Sequence, residues 1–498
     1  MLIILLVTDV IELILYTPVV WKIRKLVASL LLAALAVLGG AWFPQHINGW
    51  SYVALAVMLY RCVNLLRITE GVGSPHYLRR SGAQTSLSLM TLYTIAQLGW
   101  FTAEHEHFSG YVEWLLLALF QFVSATVALL VTNRNLEHMR PAAETRGMAD
   151  RDVPSITVAI PARNETVALQ DCLNSLLASD YPKLEILVLD DESHDRTPEV
   201  IKSFAHHGVR FVKGKTPPQG WLAKNWAYEQ LYQEANGLLI VYCGVDIRFT
   251  KNTLRRLVTT FVLRHKRMVC VMPTNVFPTS SPLSALLLQP IRYVWEVSLP
   301  RRLFKRPPVL SSCWVVERAL IHEVGSFAAV RSSVSPESHF ARRAVAMDGY
   351  SFVRSLDNFE VTAAKSFAEQ SETAVRTRYP QLHRRPELLF LLCLLETMGV
   401  VASFPMAIAG FATGHYLLGL LSTVSFLFYS YAFRKVVRAT YGFAPWQAWF
   451  AMIPAVLADA YLRNYSMYRY EFDEVLWKGR NVGQPMMEVI PHLPTIET

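Results

Sequence analysis

A chain of 498 residues that is 52% hydrophobic and 17% charged, with a mean hydropathy of +0.25, is no disordered polymer, collagen or disulfide-stapled miniprotein. Its charged share falls below the roughly 25% of ordinary soluble domains. The net charge of +9 comes with no RNP, zinc-finger or basic-helix pattern, so it points to an anionic membrane surface and not to nucleic acid. The six cysteines show no CxxC spacing, and the four at 172, 243, 270 and 313 read as free thiols in a reducing cytosol.

Five N-terminal segments are apolar enough to cross a bilayer, which takes about 20 residues: 2–21, 26–43, 47–66, 84–101 and 111–132. The first lacks the basic start of a signal peptide. It carries Asp9 and Glu12 on one helical face, where an interhelical polar contact is expected. Lys22, Arg24 and Lys25 follow the first span, and Arg67, Arg79 and Arg80 the third, whereas 44–49 and 102–110 hold no Lys or Arg. The positive-inside rule then sets the N-terminus outside and the chain after 132 in the cytosol.

From Ser155 the period changes. Ser155-Ile-Thr-Val-Ala-Ile-Pro161 and Lys183-Leu-Glu-Ile-Leu-Val-Leu189 are continuous apolar strands, with a helix over 166–178 between them. A strand at 209–213, a helix from about 223 and the strand 238–243 follow. This alternation predicts a parallel sheet covered on both faces. Ligands bind at the carboxyl edge of such sheets, and that edge presents Arg163, Glu165, Asp190, Asp191 and Asp246. Residues 283–304, amphipathic and ending in a basic cluster, read as an interfacial helix. His206-His207 and His105/His107 lack further ligands at metal spacing and read as surface residues.

Segments 388–411 and 412–433 read as a membrane hairpin, bracketed by Arg384 and Arg385 before it and Arg434, Lys435 and Arg438 after it. The stretch 446–462 carries Pro454 and Asp459; as a re-entrant or interfacial segment it keeps the basic tail cytosolic. The expected organisation is a transmembrane region over 1–132, a cytosolic α/β domain over 150–386, a second transmembrane region over 387–470 and a cytosolic tail over 471–498.

Ile160-Pro-Ala-Arg-Asn-Glu165, Val188-Leu-Asp-Asp-Glu-Ser-His-Asp-Arg-Thr197, Gly220-Trp-Leu-Ala-Lys-Asn-Trp226 and Val245-Asp-Ile247 resemble a membrane-bound family 2 glycosyltransferase of GT-A (Rossmann-like) fold. The subgroup they resemble includes ceramide glucosyltransferase-like and hopanoid-associated lipid glycosyltransferases, and Trp477-Lys-Gly-Arg480 is similar to its tail motif. The resemblance implies a GT-A domain inserted between transmembrane helices of a multi-pass protein in a cell membrane, by analogy a bacterial inner membrane. It implies a nucleotide-sugar donor, most readily a UDP-sugar, and a lipid acceptor. Asp191 would accept a hydrogen bond from the base, with Pro161 and Arg163 lining the base and ribose pocket. Glu165, Asp190, Arg378, Trp477 and Arg480 fall in the matching motifs and join the expected donor site. Asp246 would hold a divalent cation, Mg²⁺ or Mn²⁺, on the diphosphate, and Lys224 at a helix start would assist.

Three motifs depart from the pattern. Gly244-Val-Asp246 lacks the first acid of Asp-x-Asp, Pro336-Glu-Ser-His-Phe340 replaces the Glu-Asp base, and Val375-Arg-Thr-Arg378-Tyr379 stands for Gln-x-x-Arg-Trp. Glu337 is the expected general base and His339 the second choice, since Ser338 cannot abstract a proton unaided. Two readings follow: a lipid glycosyltransferase, or a catalytically weakened relative that binds nucleotide or glycan intermediates in a cell-envelope pathway. An acceptor that is itself a phosphate would need no base.

Overall fold

The computed structural model describes residues 23–42, 111–141, 149–278, 282–299, 307–356, 359–472, 475–478 and 480–482, with 8, 11, 12, 15, 58, 59, 61–63, 65 and 66. The chain divides into two compact units, 1–117 with 382–398 and 118–381 with 399–498. In the first, α1 (Arg24–Trp42) carries Ala28, Leu31 and Leu35 into a small core with Leu15, Met58 and Leu65. Glu12 accepts a hydrogen bond from Arg61 Nε at 2.6 Å, both side chains being buried, which is the polar contact expected of it. Asp9, Lys22, Arg67, Arg79, Arg80, His105, His107 and the expected span 84–101 lie outside the described residues.

The long helix α2 (Tyr111–His138) leads into the alternation β1 (Ile156–Ala162), α3 (Thr166–Leu177), β2 (Leu184–Asp190), α4 (Thr197–Ser203), β3 (Val209–Lys213), α5 (Ala223–Glu234) and β4 (Leu239–Cys243). Next come β5 (Ile247–Phe249), α6 (Thr253–Leu263), β6 (Met268–Met272), β7 (Thr274–Asn275), α7 (Gln289–Val297), β8 (Cys313–Glu317), α8 (Arg318–Glu323), α9 (Glu337–Ala346), β9 (Tyr350–Arg354) and β10 (Val361–Ala363). Strands β1 to β4 pair in parallel, as runs buried on both faces should. The full order is β3-β2-β1-β4-β8-β6-β9, and β8 runs antiparallel between β4 and β6. The sheet is therefore mixed, but β6 and β9 again pair in parallel, so β8 alone of these seven strands departs from the parallel expectation. Val158, Ile160 and Val188 pack with α3 and α6, whereas Ala159, Leu187 and Leu189 pack with α5 and α9. On the second face the buried Trp314 stacks on Tyr242 at 4.5 Å; such pairs add about 0.5–1.5 kcal/mol beyond burial.

A second sheet, β5-β10-β7, is small, but it fixes the site: Ala363 pairs with Ile247, and Ala364 N donates to Asp246 O at 3.1 Å. The interfacial helix expected over 283–304 is instead broken. One turn at Pro282–Ala285 gives way to α7, which restarts with Pro290 in its first turn and buries Ile291, Tyr293 and Val297. Its basic continuation, 301–306, is outside the described residues.

After α10 (Phe367–Gln381) come α11 (Pro386–Glu396), α12 (Ser403–Ala412), α13 (Tyr416–Tyr441) and α14 (Met452–Phe472), then a hairpin of β11 (Leu476–Trp477) and β12 (Arg480–Asn481). Among the described residues two helices are long and apolar enough to cross a membrane, Glu113–His138 and Tyr416–Tyr441. Pro386–Val401 with Ser403–Ala412 is a third such stretch, bent by 42°. Helix α13 changes character along its length. Leu417, Leu420 and Leu427 are exposed, whereas Val436 and Ala439 enter the core of the α/β sheet and Tyr441 Oη donates to Ala285 O at 2.7 Å. Residues 446–462 resolve into a 3₁₀ turn at Trp446–Trp449 and the start of α14, whose Asp459 is buried beside two arginines.

Candidate active site

Parallel pairing of β1 and β2 sets Ala162 opposite Asp190, and Asp191 N donates to Ala162 O at 2.8 Å. The two loops that leave this edge are thereby stitched together. Asn164 and Glu192 both take positive φ, and Asn164 Oδ1 accepts from His194 N at 3.0 Å while Asn164 N donates to Ser193 Oγ at 3.0 Å. Asn suits this left-handed turn because its short side chain bonds locally. Asp190 is buried and its Oδ1 accepts from Ser193 N at 3.3 Å, so it braces the loop.

A cavity of about 230 Å³ opens beside these loops. Pro161, Arg163, Glu165 and Asp191 line one wall; Lys224, Asp246 and Glu337 line another; Lys478 of the C-terminal hairpin closes a third. Arg480 Nη1 donates to both Asp191 oxygens at 2.7 and 2.8 Å, and its Nη2 donates to Glu192. Lys478 Nζ donates to Glu165 and, at 2.6 Å, to Arg163 O, while Arg163 Nε returns a bond to Lys478 O at 3.2 Å. Burial raises the Asp191 carboxyl above its ordinary range, against the opposing pull of Arg480. Glu165 is raised for the same reason, against Lys478.

Asp246 follows β4 and lies 3.4 Å from Lys365 Nζ through Oδ2. Its Oδ1 folds back over Gly244, where a Cβ would lie 2.4 Å away. The space of the absent first acid is thus taken by the second acid's own carboxylate. Glu337, at the first turn of α9, is buried, and its Oε2 has no hydrogen-bond partner among the described residues. Lys224 Nζ stands 3.9 Å from that oxygen and 5.2 Å over the Tyr228 ring. Burial lowers the Lys224 ammonium, Glu337 opposes this, and Arg376, Lys365 and Arg292 reinforce it.

The expected divalent cation would have Asp246 as its carboxylate and the donor's diphosphate oxygens as further ligands. Among the described residues no three His, Cys, Asp or Glu side chains form a metal-holding group, and the one carboxylate at the expected position already faces an ammonium. Mg²⁺ asks for octahedral oxygen at about 2.0–2.1 Å.

Three expected site residues turn elsewhere. Arg378 is buried against Asp459 at 2.7 Å, on the α14 side of α10. His339 does not line the cavity, and burial lowers its pKa. Trp477 belongs to β11, and its side chain lies outside the described residues. Conversely, Arg376, Lys365 and Lys478 line the cavity without having been expected there. Helical phase could have found Arg376: residues 373, 376 and 377 share one face of α10, and 374 and 378 the other. Lys478 sits inside the tail motif already singled out. No local signal marks Lys365, which a non-local strand pairing delivers.

Residues 157–324 match the family model described as glycosyl transferase family 2. The chain carries a family 2 glycosyltransferase domain. Curated relatives that match parts of the chain carry glycosyltransferase and synthase names. A probable glycosyltransferase, YdaM, of Bacillus subtilis (strain 168) is 26% identical over 184 residues, 36% of this chain and 44% of that one. The beta-monoglucosyldiacylglycerol synthase of Synechocystis sp. is 24% identical over 159 residues, 31% of this chain and 32% of that one. The matches thus span less than half the length of these relatives. A solved mannosyltransferase from Pyrobaculum calidifontis, in complex with GDP-Man and Mn²⁺, is 18% identical, with 63% of this chain and 97% of that chain covered and a TM-score of 0.42. The family 2 match covers β1 to β8, and hence the strand ends that carry Arg163, Asp191 and Asp246.

Proposed function

We propose that the chain is an integral-membrane, multi-pass glycosyltransferase of GT-A fold that moves a sugar from a nucleotide-diphosphate donor to a lipid or membrane-bound acceptor. The observation that carries this reading is the convergence of Asp191, Asp246 and the buried Glu337 on one cavity at the carboxyl edge of a family 2 domain. Asp191 accepts an N–H of the base: Arg480 holds its two oxygens, and each keeps a further lone pair. The diphosphate lies towards Asp246 and the cations around it. Glu337 takes the proton of the acceptor hydroxyl as that oxygen bonds to the anomeric carbon and the bond to the diphosphate breaks. Its unpartnered Oε2 is the atom with a lone pair to receive it.

Membrane residence is supported by the two long apolar helices and by the outward leucines of α13. The basic residues Arg434, Lys435 and Arg438 fall on the end of α13 that packs into the α/β core, which favours a cytosolic transferase domain. The lipid acceptor draws support from the Synechocystis relative, whose name specifies a monoglucosyldiacylglycerol. Purified full-length protein with radiolabelled UDP-glucose, UDP-N-acetylglucosamine or GDP-mannose and bacterial lipid extract should yield a labelled lipid. Nucleotide binding without transfer to lipid or other membrane acceptors would favour a weakened, binding-only relative.

A further inference from the structure

The Gly244-Val-Asp246 turn and the Lys365 side chain are built to meet. Residue 365 is carried to residue 246 by the antiparallel β5–β10 ladder and by the bond from Ala364 N to Asp246 O at 3.1 Å, so the 3.4 Å contact of Lys365 Nζ with Asp246 Oδ2 is fixed by backbone. Both side chains are mostly buried, at 24% and 17% exposure. Three more cations, Lys224, Arg292 and Arg376, line the same cavity, together with the carboxylates of Glu337, Glu369 and Glu372. Arg376, Lys365 and Arg292 all act on Lys224 as like charges against the pull of Glu337, a repulsion that a further bound anion would relieve. A second acid at position 244 would enlarge the carboxylate set for a metal ion, but there a glycine lets Asp246 fold back over the backbone.

We propose that Lys365, oriented by Asp246, supplies the counter-charge to the donor's diphosphate at the position where the family 2 resemblance calls for a divalent cation. Lys224 and Arg376 complete the charge around the same group. The inference rests on the nucleotide-diphosphate reading above and specifies how that site handles charge. Asp246 is the positioning residue, and Lys365 touches the ligand. A lysine can do this because a positioned, partly buried ammonium stabilises phosphate charge as a point charge.

The test is calorimetry on the full-length protein in detergent, with UDP, GDP, uridine and guanosine as probes, in EDTA and in Mn²⁺. The wild type should bind one of the diphosphates as tightly in EDTA as in Mn²⁺. Lys365→Met should weaken that diphosphate in EDTA by roughly 10- to 100-fold and leave the matching nucleoside unchanged. Lys365→Arg should restore it. Unchanged nucleoside binding reports an intact fold and an intact base pocket. Mn²⁺ electron paramagnetic resonance should find no tight site in the wild type without nucleotide. The inference is overturned if diphosphate binding requires Mn²⁺, or if Lys365→Met binds diphosphate in EDTA like the wild type while nucleoside binding persists. Absence of any nucleotide binding under both conditions would overturn the donor reading and this inference with it.

Discussion

Two arginine–carboxylate clusters in the same unit show how differently one ion pair can be used. In the first, Arg378 and Arg463 flank Asp459 between α10 and α14, at exposures of 5%, 2% and 1%. In the second, Arg480 spans Asp191 and Glu192 at the cavity rim, at 18%, 7% and 39%. The first cluster is sealed by helix packing, with Tyr379 N bonded to Ser466 Oγ at 3.2 Å and Tyr470 Oη to Arg376 O at 2.7 Å. Its charges lie between α10 and α14, where they serve to fasten α10. The second is held by a two-stranded hairpin at the mouth of the site, where a ligand can compete for either member. Burial decides which pair is a fastening and which is available for binding.

The comparison breaks most visibly at Arg378. Arg378→Ala leaves Asp459 buried beside a single arginine at 3.6 Å and should cost about 3–5 kcal/mol of stability. Thermal unfolding in detergent would register it, and a melting temperature like that of the wild type would show the cluster to be no fastening. Glu337→Gln comes next. It keeps the shape of the first turn of α9 and should lower turnover at least about 100-fold for a hydroxyl acceptor, with donor affinity intact. Unchanged turnover would point to a phosphate acceptor, which needs no base.

Asp191→Ala should weaken nucleotide binding by about 1–3 kcal/mol through the lost acceptor, with a smaller loss of fold stability than Arg378→Ala. Equal losses of stability in the two variants would erase the distinction between the clusters. Arg480→Gln should have the smallest effect on stability, about 1 kcal/mol or less, and shows itself through pH. Burial raises the Asp191 pKa and Arg480 lowers it. On the proposed base contact the ionised form accepts the N–H, so binding should be complete above that pKa and be lost as pH falls through it. Without Arg480 the pKa rises further, and the acid limb of nucleotide binding should move to higher pH. A limb that stays in place would remove Arg480 from the control of Asp191.

Legibility in the sequence followed the range of the interactions. The strands β1 to β4 were readable because each is a continuous apolar run, and the loops after β1 and β2 because parallel register forces both to one edge. The antiparallel β8 was not, since a buried run such as Cys313–Glu317 carries no mark of its direction. Glu337 was readable from its place in the motif that stands for the acidic pair, and α9 begins at that residue. Arg378 was misplaced because motif matching ignores helical phase, which sends Arg376 to the cavity and Arg378 to Asp459. Lys365 was invisible because its place depends on a strand pairing that spans more than a hundred residues.

The C-terminal hairpin has a consequence for biosynthesis. Arg480 lies 289 residues after the aspartate it holds. At about 5–20 residues per second, a ribosome makes Asp191 roughly 15–60 s before its counter-ion exists. During that interval the sheet edge carries Asp191, Glu192 and Glu165 without the arginine and lysine that later neutralise them. The rim of the site is therefore among the last parts of the α/β unit to be completed. A chain that stopped short of residue 478 would keep every strand of the main sheet and still lack one wall of its cavity.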